Sequence, residues 1–280
     1  MIAPPPADPR RAGPLRLVVL VAIGLGALNV AQYVAGAMNQ CVADDELRAE
    51  RAKLATATAP QETIDRCHQI FYKNPGGISR NRWFGIRAEQ NPNDVWITQE
   101  ILFETKPDVV VEAGTFMGGS AALWATMLRE INPQGRVLTI DIRDLSAEAK
   151  KLPIVQERVD FLVGSSIAPE IVAEVKRRTA GKKVVLILDS DHHKAHVLAE
   201  LRAYADIIQP GSYIIVQDSN INGHPVVLDD GYLAGDYLGQ PGPWEAVEEF
   251  LATDHRFQID LGRERLLLTM NPHGFLRRVD

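Results

Sequence analysis

The sequence predicts an α/β protein built on a doubly wound, mostly parallel sheet. Three observations carry this. Short apolar, β-branched runs alternate with helix-length segments from Val109 onward. These runs are too apolar for strands with one wet face, so helices must cover both sides. Acids also close four of the five strands, at the rim where open parallel sheets bind ligands.

The central stretch is Val109–Thr126, VVVEAGTFMGGSAALWAT. It reads as a strand ending in Glu112, a glycine-broken turn, and a helix over Ser120–Glu130. The turn has neither the Lys-Ser/Thr pair of a P-loop nor the GxGxxG spacing of dinucleotide binders. Gly114 and Gly118 allow close approach of backbone to a ligand, and a helix start offers free N–H groups. Strand two is Arg136–Asp141 and strand three Val159–Val163, followed by a helix over Ala168–Thr179. Strand four is Lys183–Asp189, with a helix over His193–Ala205, and strand five is Gly211–Val216. A helix over Trp244–Thr253 follows, and Phe257–Leu261 with Arg265–Met270 read as a C-terminal antiparallel hairpin.

Upstream, residues 1–14 are Pro- and Ala-rich and read as a disordered tail. Residues 15–38 are apolar apart from Asn29 and Gln32 beyond Arg16, long enough for a transmembrane anchor. A signal peptide ending near Ala35-Gly36-Ala37 and a buried soluble helix are the competing readings. Residues 39–60 form a charged, Ala-rich stem, and residues 61–280 the folded domain. Gln61–Tyr72 reads as an amphipathic helix, and Asp94 as the cap of a helix running to Pro107.

Of 280 residues 46% are hydrophobic and 24% charged, which suffices for a full core. The net charge of −6 gives no footprint for nucleic acid. The two cysteines, Cys41 and Cys67, make neither a disulfide framework nor a thiolate metal site.

The strand ends supply the candidate chemistry. Asp141 stands where nucleoside-binding sheets place the acid that takes two ribose hydroxyls. Asp189 and Asp218 close neighbouring strands and can share a hard divalent cation. Asp191, His192 and His193 crowd the same edge. A histidine there can act as a general base, its ordinary pKa lying near neutrality. The plainer reading of each acid is a strand-end cap, and of His193 and His196 a loop and a structural histidine.

Six segments carry a family resemblance: NPNDVWITQEIL (Asn91–Leu102), VVVEAGTFMGGSA, VLTIDI (Val137–Ile142), LILDSDHHKAHVLAEL (Leu186–Leu201), PGSYIIVQDSNINGHPV (Pro210–Val226) and GPWEAVEEFL (Gly242–Leu251). In this order they resemble the rhamnosyl O-methyltransferase/cephalosporin hydroxylase family, relatives of the catechol-type metal-dependent O-methyltransferases. The resemblance implies a class I methyltransferase (Rossmann-like) sheet and S-adenosyl-L-methionine as cofactor. It implies that Glu112, Gly114, Gly118 and Ser120 line the methionine end, that Asp141 holds the ribose, and that Ser165 and Ser166 lie beside adenine. It also implies that Asp189, Gln217 and Asp218 ligate Mg²⁺, and that Asp189 and His192 are catalytic. His192 falls where the catechol enzymes carry a lysine base. Gln217 departs from the pattern, which tends to have a carboxylate there.

The expected function is therefore O-methylation of a hydroxyl on a sugar, glycolipid or natural product. A hydroxylase of the same family and a non-enzymatic membrane protein retaining the fold are the alternatives. A homo-oligomer, a single-pass membrane placement with the catalytic domain cytoplasmic, and secretion after signal cleavage complete the expectations.

Overall fold

The computed structural model describes residues 61–73, 78–227 and 239–280. The expected tail (1–14), anchor (15–38) and stem (39–60) lie outside the described residues. Residues 61–280 form one compact unit.

After helix α1 (Gln61–Lys73), the short strands β1 (Arg82–Trp83) and β2 (Ile86–Arg87) form a small hairpin. Trp83 docks it by donating from Nε1 to the Thr126 hydroxyl at 3.2 Å. Helix α2 (Pro92–Thr105) is capped by Asn91, whose side chain accepts from the Asn93 amide, with Pro92 in the first turn. Asp94, the expected cap, is buried instead. It accepts from the Thr269 hydroxyl and, at 2.8 Å, from the Met270 amide.

The main sheet then alternates strand and helix. Its members are β3 (Val109–Ala113), α3 (Gly119–Ile131), β4 (Arg136–Asp141), α4 (Pro153–Arg158), β5 (Val159–Val163), α5 (Pro169–Thr179), β6 (Val184–Leu188), α6 (Lys194–Tyr204), β7 (Tyr213–Val216), α7 (Pro243–Leu251), β8 (Phe257–Ile259) and β9 (Phe275–Arg278). The strand order is β5-β4-β3-β6-β7-β9-β8. β9 runs antiparallel to both neighbours, and the other pairings are parallel. The chain therefore winds outward from β3 in one direction and from β6 in the other. The crevice at this reversal is the ligand-binding place of such sheets.

Strand parity builds two cores. Val109, Val111, Leu138, Ile140, Leu186 and Leu188 face α5, α6 and α7. Val110, Val137, Val185 and Ile187 face α2, α3 and α4. Both faces are apolar, which is why the strands lack a polar alternation.

Two expectations are corrected here. The terminal antiparallel pairing exists, but its second strand is Phe275–Arg278, and Arg265–Met270 is irregular. The apolar run there is not extended: Leu267 has φ 66°, and the Asp94 carboxylate pins Thr269 and Met270 to the start of α2. The single-pass membrane placement is also overturned. Among the described residues no helix is long and apolar enough to cross a membrane. A span needs about 20 apolar residues, whereas α2 has 14 and carries Asp94, Glu100 and Glu104.

Candidate active site

The glycine turn after β3 is shaped by close packing. Gly114 has φ +101°, and a Cβ there would lie 1.8 Å from the Asp189 carbonyl oxygen. The turn therefore touches the end of β6 directly, bringing the two strand ends of the crevice together. Gly118 has φ +84° and caps α3, with the Ala149 Cβ 2.7 Å from where its own would stand.

Glu112 shares the parity of Val110, so its side chain points under α3 rather than into the crevice. It is 1% exposed. Its Oε1 accepts from Trp124 Nε1 at 2.8 Å and its Oε2 from the Thr139 hydroxyl at 2.6 Å. Burial pushes its pKa up to about 7 against the pull of the Thr139, Ser120 and Trp124 donors. The expected cofactor-facing acid and Ser120 thus sit together beneath α3, tying β3 to that helix and to β4.

Asp141, on the adjacent strand end, ties itself to the same turn. Its Oδ2 accepts from the Phe116 amide at 2.8 Å and its Oδ1 from the Arg143 amide at 3.0 Å. The carboxylate stands at the end of β4 beside the glycine loop.

Ser165 and Ser166 follow β5. Ser165 is partly exposed, whereas Ser166 is buried. The Ser166 hydroxyl bonds Glu200 and lies 3.0 Å from His196 Nε2, and Glu200 also accepts from the Ser190 hydroxyl at 2.7 Å. Glu200, fully buried, therefore links the loop after β5 to the loop after β6. His196, read as structural, belongs to this link.

Across the crevice, Asp189, His192 and Asp218 converge. One ligand atom from each lies within 4.8 Å of the other two. His192 Nε2 is 3.3 Å from Asp218 Oδ2. Asp218 sits in the left-handed region at φ 55°, its amide held by Asn271 Oδ1 at 3.0 Å. Burial, the Asp218 charge and the Glu112 charge hold Asp189 well above the usual carboxylate range. Burial likewise raises Asp218, and the neighbouring His192 opposes it. Two carboxylates pushed together in this way fit a hard divalent cation, which would relieve their repulsion. His193 turns away, with its Nδ1 2.6 Å from Asp191.

Gln217, expected as a ligand, is 5% exposed and donates through Nε2 to Gln90 Oε1 at 3.3 Å. Gln90 in turn donates to Asp189 Oδ2 at 2.9 Å. Sequence reasoning missed Gln90. It lies in the connection between β2 and α2, and no motif marks it.

A family model described as rhamnosyl O-methyltransferase/CmcI matches residues 77–279. A rhamnosyl O-methyltransferase of Mycobacterium bovis is 36% identical over 226 residues, covering 78% of this chain and 86% of its own. One of Mycobacterium leprae is 35% identical over 225 residues, covering 78% and 92%. Among solved structures, CmcI with Mg and SAM superposes at a TM-score of 0.54. Its identity is 18%, and the match covers 72% of this chain and 78% of that one. The apo form of CmcI gives 0.53 at the same identity, covering 72% and 77%. The shared fold is that of the class I methyltransferases, and the expected Rossmann-like sheet is the one observed. The chain belongs to the rhamnosyl O-methyltransferase/CmcI family and is an O-methyltransferase.

Proposed function

We propose that residues 61–280 form an S-adenosyl-L-methionine- and Mg²⁺-dependent methyltransferase domain. Its acceptor is a hydroxyl on a sugar, of the rhamnosyl class, carried by a glycolipid or other natural product. The observation that carries this reading is the meeting of Asp189, His192 and Asp218 beside the glycine turn. The acceptor class follows the names of the mycobacterial relatives.

The residues fit both groups. The turn between β3 and α3 is held open by glycines, with Asp141 at its rim. The donors facing it are two carboxylates, a hard oxygen set suited to Mg²⁺. When bound, the cofactor supplies the methyl carbon, and the cation lowers the pKa of the acceptor hydroxyl.

The chain's own residues do the rest. Asp189 and Asp218, with Gln217 as a neutral oxygen donor, would hold the cation. His192 is the base that takes the acceptor's proton, held beside the cation site with its Nε2 3.3 Å from Asp218 Oδ2. A sugar hydroxyl is a weak acid, so this base carries more of the barrier than it would for a catechol. Asp141 fixes the glycine turn and Glu112 ties β3 to α3 beside it, and positioning is most of what an in-line displacement requires.

The test is transfer of labelled methyl from S-adenosyl-L-methionine to a rhamnosyl-bearing glycolipid by the full chain. Transfer that stops with a chelator and returns with Mg²⁺ is the expected result. Cofactor binding without transfer to any deoxysugar acceptor would remove the acceptor class.

A further inference from the structure

Gln90 is 6% exposed and fixed from its backbone side. Its carbonyl accepts from Asn81 Nδ2 at 2.9 Å, its amide donates to the Ala88 carbonyl at 2.7 Å, and the next residue caps α2. Its side chain therefore reaches the strand ends from a rigid base. There it meets two partners 99 and 127 positions away, Asp189 and Gln217.

The hydrogen-bond polarity of this chain of groups is set by chemistry. Gln90 presents its NH₂ to Asp189 Oδ2. Its carbonyl oxygen then faces Gln217, which must donate through Nε2. Gln217 is left with Oε1 as the atom an amide offers to a hard cation. Asp189 likewise has Oδ2 engaged and Oδ1 remaining. An ionised glutamate at 217 would have no hydrogen for Gln90 and would set two oxygens face to face.

We propose that Gln90 is a positioning residue, the middle of a one-way amide relay from Gln217 to Asp189 that orients both for a divalent cation. The inference rests on the cation reading above. Groups that orient ligands in this way change metal affinity by roughly 10–100-fold when removed.

The experiment titrates Mn²⁺ into the full chain, following free Mn²⁺ by its paramagnetic resonance signal. S-adenosylhomocysteine affinity is measured separately without metal. Gln90→Met should raise the Mn²⁺ dissociation constant about tenfold and leave S-adenosylhomocysteine binding within about twofold. Gln217→Met should also weaken Mn²⁺ binding, and the double variant should lose less than the sum of the two single losses, because the two residues share one hydrogen bond. Should Gln90→Met fail to fold, Gln90→Ala is read in the same way. Wild-type Mn²⁺ affinity in the Gln90 variant, or losses that simply add, would overturn the relay and leave the cation site standing. A wild-type chain that binds no Mn²⁺ would overturn both.

Discussion

His192 Nε2 lies 3.3 Å from Asp218 Oδ2, so the candidate base and a candidate cation ligand are immediate neighbours. The ring is close enough to the cluster to serve either as a proton acceptor or as a ligand itself. His192→Gln separates these roles. Turnover should fall by about 10²–10⁴, with Mn²⁺ and S-adenosylhomocysteine affinities unchanged. A parallel loss of Mn²⁺ affinity would reassign Nε2 from proton acceptor to ligand.

Gln217 supplies a test of charge in the cation site. Gln217→Glu adds a third carboxylate to Asp189 and Asp218, and ligand charge governs hard-cation affinity. The metal-free protein should melt lower, because three acids then face one another and an oxygen replaces the hydrogen that Gln90 accepts, and added Mn²⁺ should raise its melting temperature by more than it raises that of the wild type. An unchanged melting temperature without metal would show that residue 217 does not face Asp189 and Asp218.

Gly114 makes a steric prediction. Alanine there must adopt φ +101° and push its Cβ against the Asp189 carbonyl. Gly114→Ala should cost roughly 3 kcal/mol or more in denaturant unfolding, combining backbone strain with overpacking. An unchanged midpoint would show that the turn does not press on β6.

Glu112 links stability to pH. Its folded pKa, about 7, lies above its ordinary value of 4.5, so between those values the folded chain holds a proton that the unfolded chain releases. Its contribution is therefore fully present below pH 4.5 and is lost as pH rises through 7, by roughly 3 kcal/mol in all. Glu112→Gln should flatten the fall of unfolding free energy over that window. Asp94, also raised to about 7, keeps part of the slope, so the comparison is between variant and wild type. Parallel curves would contradict the assignment.

The parallel sheet and its strand ends were legible because apolar runs and terminal acids are local signals. The side each acid faces was not. Glu112 reads as a ligand-facing strand end, yet one further residue, Ala113, completes β3 and parity turns the acid under Trp124. The apolar run Leu266-Leu267-Leu268 looks like a strand, but the buried Asp94 pins the following residues across 175 positions. Gln90 was invisible for the same reason. Its partners are distant in sequence, and a lone glutamine in a loop carries no pattern. The N-terminal apolar segment drew a membrane placement that the described helices do not support.

Asp141 bears most directly on the central claim, since it joins the glycine turn to the end of β4 through the Phe116 amide. Calorimetric titration of S-adenosylhomocysteine into the full chain and into Asp141→Ala should show binding in the first. In the second it should show a loss of about 1.5–3 kcal/mol, the worth of charge-assisted hydrogen bonds. No binding by the wild-type chain, or equal affinity in the two, would contradict a cofactor site at these strand ends.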